Sequence, residues 1–410
     1  MTRYGRSPWV DNFPRSHVPS YPKQKGQITT DVVILGGGLT GCATAYAFAA
    51  AGVRVVLLEA DRIGRGSSGA SSGWVEDDPG IGFVEAEKKM GLKDARYAFK
   101  AWHRAALDFG ALVRRLNLKC AFEPTSSVLA AFTPDQQIRL KKEVNARRAA
   151  GLEAPLINAR AVTAETGVTA VAAMRTRDGA TIDPYRATLG LAAAAVERGA
   201  QIFEMTAATK VVFKPRFVDV LTAAGNVRAD TVVVATGTPT ALFKALRRHV
   251  WFKTAFLALT EPVPATIRQQ LGRRASVLRD SATPSHVIRW VDDSRLLVTG
   301  ADGPTAPDGL REKTIVQRTG QLMYELSTLY PDISGIQPAY GWDAPYSLTG
   351  EALPFIGPHR NFPRHLFAFG DSSHGVTGAY LASRVLLRHF LDEVDAADEA
   401  FGFVRGNWGR

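Results

Sequence analysis

The chain has 410 residues, 46% of them hydrophobic, and a formal net charge of +11. That length accommodates about two or three domains, and the apolar share excludes a disordered chain. The basic surplus admits an acidic partner, but the charges are scattered, with no long like-charge run, stacking-aromatic motif, zinc finger or basic arm, so no nucleic-acid partner is expected.

Two cysteines, Cys42 and Cys120, form no C-x-x-C pair, which argues against a dithiol centre or cysteine zinc site. No apolar run reaches the roughly eighteen residues of a membrane span. Residues 1–27 lack the apolar core of a secretory leader, so a soluble, cytoplasmic protein is expected.

Residues 1–30 are rich in proline and aromatics and read as an irregular arm, anchored by Trp9 and Phe13. The stretch that organises the chain follows. Residues 32–35 are a β-branched apolar strand, 36–41 read GGGLTG, 39–51 are an Ala-rich helix stopped by Gly52, and 53–58 are a second apolar strand ending at Glu59. In this βαβ order the glycines have separate tasks. Gly36 permits the tight turn, Gly38 lets the backbone approach a pyrophosphate, and Gly41 lets the helix lie close on the sheet. The helix N-terminus, at Leu39 and Thr40, offers free N–H groups to phosphate. Glu59, followed by Ala60, is placed to accept hydrogen bonds from a ribose.

The loop 62–75, RIGRGSSGASSGWV, has small residues directly after that acid, and Gly66, Ser67 and Ser68 are read as a second contact with the same ligand. Residues 83–118 have helical periodicity, 122–132 read as a strand, and 135–150 as a charged helix. Asp183-Pro184 opens a helix over 184–198. Strands are expected at 201–205 and 208–213, then a hairpin through 224–226, then a buried strand over 231–237. The region 251–345 reads as an antiparallel sheet with one helix near 312–329. LPFIGP at 353–358, a strand at 366–369, the turn 370–375 and a helix over 376–391 complete the chain.

Four segments together resemble the FAD-dependent oxidoreductases of the D-amino-acid oxidase, sarcosine oxidase and glycine oxidase type. They are GGGLTG with Glu59, RGSSGASSG, VVVATG at 232–237, and LPFIG followed by FAFGDSSHGVTG, in the family's order over 31–378. The resemblance implies an α/β fold: a discontinuous Rossmann-type FAD-binding domain with a mixed sheet (1–82, 170–250 and 346–410) and an antiparallel-sheet substrate domain (83–169 and 251–345). It implies that Gly36, Gly38 and Gly41 hold the pyrophosphate, Glu59 the ribose, and Ser67 and Ser68 the phosphate or ribityl oxygens. Val211 would face the adenine, and Ala235, Thr236 and Gly237 would pass close to the cofactor. Gly370, His374, Gly375, Val376 and Thr377 would lie beside the isoalloxazine. His374, Tyr346 and Trp74 are the catalytic-pocket candidates, each equally readable as packing.

Two departures bear on the chemistry. Where many amino-acid-oxidising members carry an arginine four residues beyond the tryptophan, here Trp342, this chain has Tyr346, with Arg289 as a substitute to test. Where sarcosine-oxidase-like members carry a lysine near flavin N5, the strand LLVTG at 296–300 places Val298. An amine without an α-carboxylate, and slow reaction with oxygen, are therefore expected, with Lys253 or Arg289 as the residues that could supply either role instead. The expected activity is oxidation of a C–H next to nitrogen by hydride transfer to FAD, with imine hydrolysis following. A 2-hydroxy acid or polyol dehydrogenase on the same fold is the alternative. A basic binding or assembly protein with structural FAD is the alternative of another class, and the electron acceptor stays open.

Overall fold

The computed structural model of the protein describes residues 1–282, 284–370 and 375–405. Two sheets organise it. The first runs Phe355–His359, Phe362–Phe369, Gly225–Gly237, Gly26–Leu35, Val55–Leu58, Gln201–Phe203. Along this path neighbours pair in parallel except the antiparallel pair Phe355–His359 and Phe362–Phe369; Val218–Leu221 and Lys210–Phe213 extend the sheet beyond Gly225–Gly237 by two further antiparallel pairings. VVVATG thus lies directly beside DVVILGG, with Val232 opposite Val33.

Burial on both faces explains the uninterrupted apolar strands. Val32 and Ile34 pack towards the helices Leu39–Ala50, Pro184–Glu197 and Val376–Leu391. Val33 and Leu35 face the other way, into a cluster with Val218, Val220 and Phe243. Asp183 caps the Pro184 helix, its carboxylate accepting from the Arg186 N–H at 3.0 Å.

The second sheet has ten strands, predominantly antiparallel. At its centre Trp251–Thr260 pairs with Pro338–Leu348 on one side and Arg295–Gly303 on the other. One face of these strands, with Leu257, Leu297 and Trp342, joins the core that the cofactor-side helices fill. The opposite face, with Phe256, Ala258, Leu296 and Val298, packs on the helix Arg311–Leu329 through Ile315, Leu322 and Leu326.

Several sequence expectations shift. The helical stretch 83–118 is two helices, Phe83–Met90 and Leu92–Arg115, separated at Gly91, whose φ of 84° ends the first. Ala172–Thr181 is a strand of the ten-stranded sheet, paired with Glu123–Ala131 and Trp74–Val75, although residues from 170 were expected on the cofactor side. Residues 346–348 likewise close a strand of that sheet. The 172–181 segment reads MRTRDG at its centre, which hides its strand character: polar side chains and a glycine interrupt the apolar alternation.

The strand Pro338–Leu348 is the seam between the two sheets. The Ser67 hydroxyl donates to the Pro345 carbonyl at 2.8 Å, the Trp342 indole N–H to the Ala70 carbonyl at 2.8 Å, and the Ser347 hydroxyl to the Gly237 carbonyl at 2.9 Å. The N-terminal arm closes over the same loop. Trp9 donates its indole N–H to the Ser71 carbonyl at 3.0 Å, and Phe13 meets Tyr185 edge-on, with ring centroids 5.5 Å apart.

Candidate active site

A cleft of about 520 Å³ opens at the carboxyl ends of the parallel strands, bordered by Leu35, Leu58 and Ala235. This is where open α/β sheets bind their ligands. The glycines explain its depth. A Cβ on Gly41 would stand 1.8 Å from the Gly36 carbonyl oxygen, and one on Gly36 would stand 2.6 Å from that of Ala235. Backbone therefore touches backbone where helix, turn and neighbouring strand meet. On Gly38 a Cβ would meet only the Ser68 hydroxyl, at 3.0 Å, so this residue keeps the mouth of the cleft clear.

Glu59 is half-buried at the rim. Its carboxylate accepts from the Gly37 N–H at 2.6 Å and the Asp61 N–H at 2.7 Å. A carboxylate has about four acceptor positions, so both ribose hydroxyls can still be accommodated. Ser68 accepts from the Leu39 N–H at 2.8 Å, clamping the small-residue loop onto the helix N-terminus while keeping its own proton to donate.

Of the residues read from sequence, Gly36, Gly38, Leu39, Thr40, Glu59, Ala60, Gly66, Ser67, Ser68, Ala235, Thr236, Gly237, Gly375 and Val376 border this cleft, and so does Tyr346. Gly41 lies beneath it.

Three expected contacts, Val211, Gly370 and Thr377, are placed elsewhere. Val211 sits in the strand Lys210–Phe213, opposite Val220. The cleft is bordered instead by Thr206–Thr209, because the chain turns at Met205 (φ 50°) and enters the strand only at Lys210. Gly370 packs on Thr349. Thr377 is buried and donates to the Glu76 carbonyl at 2.7 Å. Ser67 spends its hydroxyl proton on Pro345. His374 lies outside the described residues. Missed from sequence were Ser71, which lies within RGSSGASSG but was not singled out there, and the Thr206–Thr209 stretch, which belongs to no motif.

A second cavity, about 890 Å³, lies over the ten-stranded sheet, and Tyr346 borders both spaces. The Tyr346 hydroxyl donates to Asp302 Oδ2. Burial, together with Asp302, pushes the phenol pKa up. Burial also raises the Asp302 carboxyl, against the hydrogen bond from Tyr346 and the nearby charge of Lys253. Lys253 is the cross-strand partner of Tyr346. Trp74 lines this second cavity and not the first, with the Arg279 guanidinium 5.1 Å over its ring.

The two other sequence candidates are structural. Arg289 is buried, donating to the carbonyls of Ser72 at 2.7 Å and Ile182 at 3.2 Å, and it lies 5.2 Å over Trp9. Burial lowers its pKa to about 10. Val298 faces the Arg311–Leu329 helix, away from the cleft. The cation place sought at Val298 is therefore not on the cleft side of that strand, whereas Lys253, the cross-strand partner of Tyr346, lines the second cavity.

A Rossmann-type sheet with its glycine turn, an acid at the second strand and an adjoining sheet-walled cavity defines a dinucleotide-dependent oxidoreductase. The family model for FAD dependent oxidoreductases of the DAO type matches residues 31–388, and the chain belongs to that family. Its cofactor is accordingly FAD, and the clear mouth at Gly38, the backbone contact at Gly36 and Gly41 and the free acceptor capacity of Glu59 fit it. The chain is 27% identical to gamma-glutamylputrescine oxidoreductase of Escherichia coli over 90% of this chain and 86% of that protein. It is 25% identical to the probable oxidoreductase OrdL of Haemophilus influenzae over 92% and 85%. The solved structure of L-amino acid deaminase from Proteus myxofaciens, in complex with anthranilate, superposes with a TM-score of 0.78 at 15% identity, covering 100% of both chains. Family membership makes the chain an enzyme, and the reading as a binding protein with structural FAD gives way. Among the described residues no helix is long and apolar enough to cross a membrane.

Proposed function

We propose that this enzyme oxidises the C–H bond next to the nitrogen of a small amine held in the second cavity, with release of the carbonyl product by imine hydrolysis. The observation that carries the reading is Tyr346, the residue shared by the cofactor cleft and the second cavity. Similarity to an enzyme named for an amine substrate supports the substrate class. The division of labour follows the sheets: the mainly parallel sheet holds the cofactor and the ten-stranded sheet walls the substrate space, with 172–181 and 346–348 on the substrate side.

Gly36, Gly38 and the N–H groups opening the Leu39 helix would hold the pyrophosphate, with Ser68 donating to it and Glu59 accepting from the ribose. Gly375 and Val376 begin a helix whose N-terminal dipole faces the cleft. FAD, when bound, supplies the acceptor for the hydride equivalent. The chain's own residues do the rest. Tyr346 donates its hydroxyl hydrogen bond to Asp302, so its oxygen lone pairs are left to accept from an amine N–H. Asp302, raised by burial, can take and hold a proton at its carboxylate, which favours the neutral, oxidisable amine. Trp74, Leu140 and Val287 keep the middle of the cavity dry.

The test is anaerobic titration of the holoenzyme with amines, amino acids and 2-hydroxy acids, following flavin absorbance. Amines should bleach it, and Tyr346→Phe should slow bleaching by about ten- to a hundredfold, the scale of one polar contact made to the reacting group. Bleaching by 2-hydroxy acids alone would establish the alternative.

A further inference from the structure

The second cavity is sorted by exposure. Its buried part is apolar and aromatic, with Trp74, Leu140 and Val287. Its exposed lining carries cations: Lys253 beside Tyr346, and, away from Tyr346, Lys88 from the helix Phe83–Met90 with Arg139 and Lys142 from the helix Pro134–Ala149. Arg139 and Lys142 are three residues apart, hence on one helical face.

The carboxylates of the same cavity are all engaged. Glu85 pairs with Lys89 at 2.7 Å. Glu143 pairs with Arg147 at 2.7 Å and accepts the N–H groups of Phe83 and Val84. Asp280 pairs with His286 at 2.6 Å, and Asp302 accepts from Tyr346. Among the described residues Lys88, Arg139 and Lys142 have no carboxylate within 4 Å. A basic chain places unpaired cations anywhere on its surface. Here three of them, from two neighbouring helices, line one opening whose own acids already have hydrogen-bonding or ionic partners.

We infer that the mouth of this cavity binds an anionic group, a carboxylate, at the far end of the substrate. The inference rests on the proposed amine chemistry and names its substrate class. The substrate is an ω-amino acid or similar acid-tailed amine, with nitrogen at Tyr346, an aliphatic middle against Trp74 and Leu140, and an acid group among Lys88, Arg139 and Lys142. An α-amino acid would instead set its carboxylate beside the reacting carbon, near Lys253, and would leave the three cations at the mouth unmatched.

The experiment uses the holoenzyme under anaerobic conditions with three probes matched in length: 6-aminohexanoate, hexylamine and 1,6-diaminohexane. Flavin bleaching is one readout. Calorimetric binding of hexanoate, which carries no oxidisable amine, is the other. The acid-tailed amine should be preferred over hexylamine by about tenfold, the summed effect of two or three exposed ion pairs, and raised salt should erode the preference. R139E/K142E should reverse it in favour of the diamine and abolish hexanoate binding, while R139A/K142A should only level it. Both positions are exposed, and unchanged melting temperatures establish that the variants fold. If hexanoate binds in an Arg139- and Lys142-dependent way but no amine bleaches the flavin, the amine reading fails and the anion site stands. If hexylamine and 6-aminohexanoate bleach equally and hexanoate binding ignores both variants, the anion site is overturned and the amine reading stands.

Discussion

Asp78 fastens the loop that forms one wall of the second cavity, and its removal is the most demanding test of the architecture. It is 3% exposed. Its carboxylate accepts from both terminal nitrogens of Arg279, each at 3.1 Å, from Arg147 at 3.1 Å, and from the Gly80 N–H at 3.1 Å. Burial pushes the Asp78 pKa up, but Arg279 and Arg147 outweigh it and hold the group well below the usual carboxylate range. Arg147 also has Glu143, at 2.7 Å. Arg279 also feels the charges of Asp77 and Glu76, but Asp78 takes both of its terminal nitrogens, so Asp78→Ala removes its main partner in a site where its side chain is 10% exposed. Breaking a buried pair from one side costs about 3–5 kcal/mol. Urea unfolding of the holoenzyme should show a loss on that scale. Removing the second charge as well, in D78A/R279M, should return about 1–3 kcal/mol of it, because the penalty lies in the stranded cation. A loss below about 1 kcal/mol for D78A, the range of an exposed pair, would refute the reasoning, as would a double variant less stable than D78A.

Gly41→Ala should weaken FAD binding by about ten- to a hundredfold: the new methyl meets the Gly36 carbonyl, and about 1–3 kcal/mol of overpacking falls on the turn that cradles the pyrophosphate. Equilibrium dialysis of the apoprotein checks it, and unaltered affinity would contradict the packing. Stability should fall on both sides of neutrality, for opposite reasons. His286, between Asp280 and Glu325 and felt by Asp302, has its pKa raised to about 9, chiefly by the hydrogen bond to Asp280. Its contribution is full below about pH 6.5, the unfolded value, and is lost as pH rises through about 9. His249, His359, His365 and His389 are all lowered, burial being the largest cause. Their contribution is present above about pH 6.5 and lost as pH falls below it. In urea unfolding across pH, His286→Gln should flatten only the alkaline limb; an unchanged alkaline slope would contradict the clasp.

The first sheet was legible because its chemistry is local. Glycine turn, helix and acid lie within 36–59, and each residue's task follows from backbone geometry that the sequence itself enforces, as the contacts at Gly36 and Gly41 bear out. The second sheet was legible only as a class. Its strands are joined by long-range pairs, such as Lys253 opposite Tyr346, and neither partner announces the other in one dimension. Side-chain facing was the commonest source of error. Val298 and Leu297 are adjacent, equally apolar and equally buried, yet one packs on the Arg311–Leu329 helix and the other on the cleft side. A one-residue difference in register decides which of them could ever meet a cofactor. Arg289 failed for a related reason: a buried arginine satisfied by carbonyls looks, in sequence, like one awaiting a carboxylate.

The same limits explain where the substrate reading had to come from. An arginine clamp can be sought at one position, and its absence at Tyr346 says what the site lacks. What replaces it is assembled from separate elements. Tyr346 and Asp302 are 44 residues apart and meet because their strands flank Trp251–Thr260. Lys88 and the pair Arg139 and Lys142 come from helices on either side of Leu92–Arg115 in sequence, and they border one opening only in the folded chain. On the function proposed here, specificity would reside in the cavity walls contributed by the second sheet and its covering helices. The glycine turn would be the same for any substrate, since it serves the cofactor. Changing which amine is accepted should require substitutions at 88, 139, 142, 253 and 302, and none in 36–68.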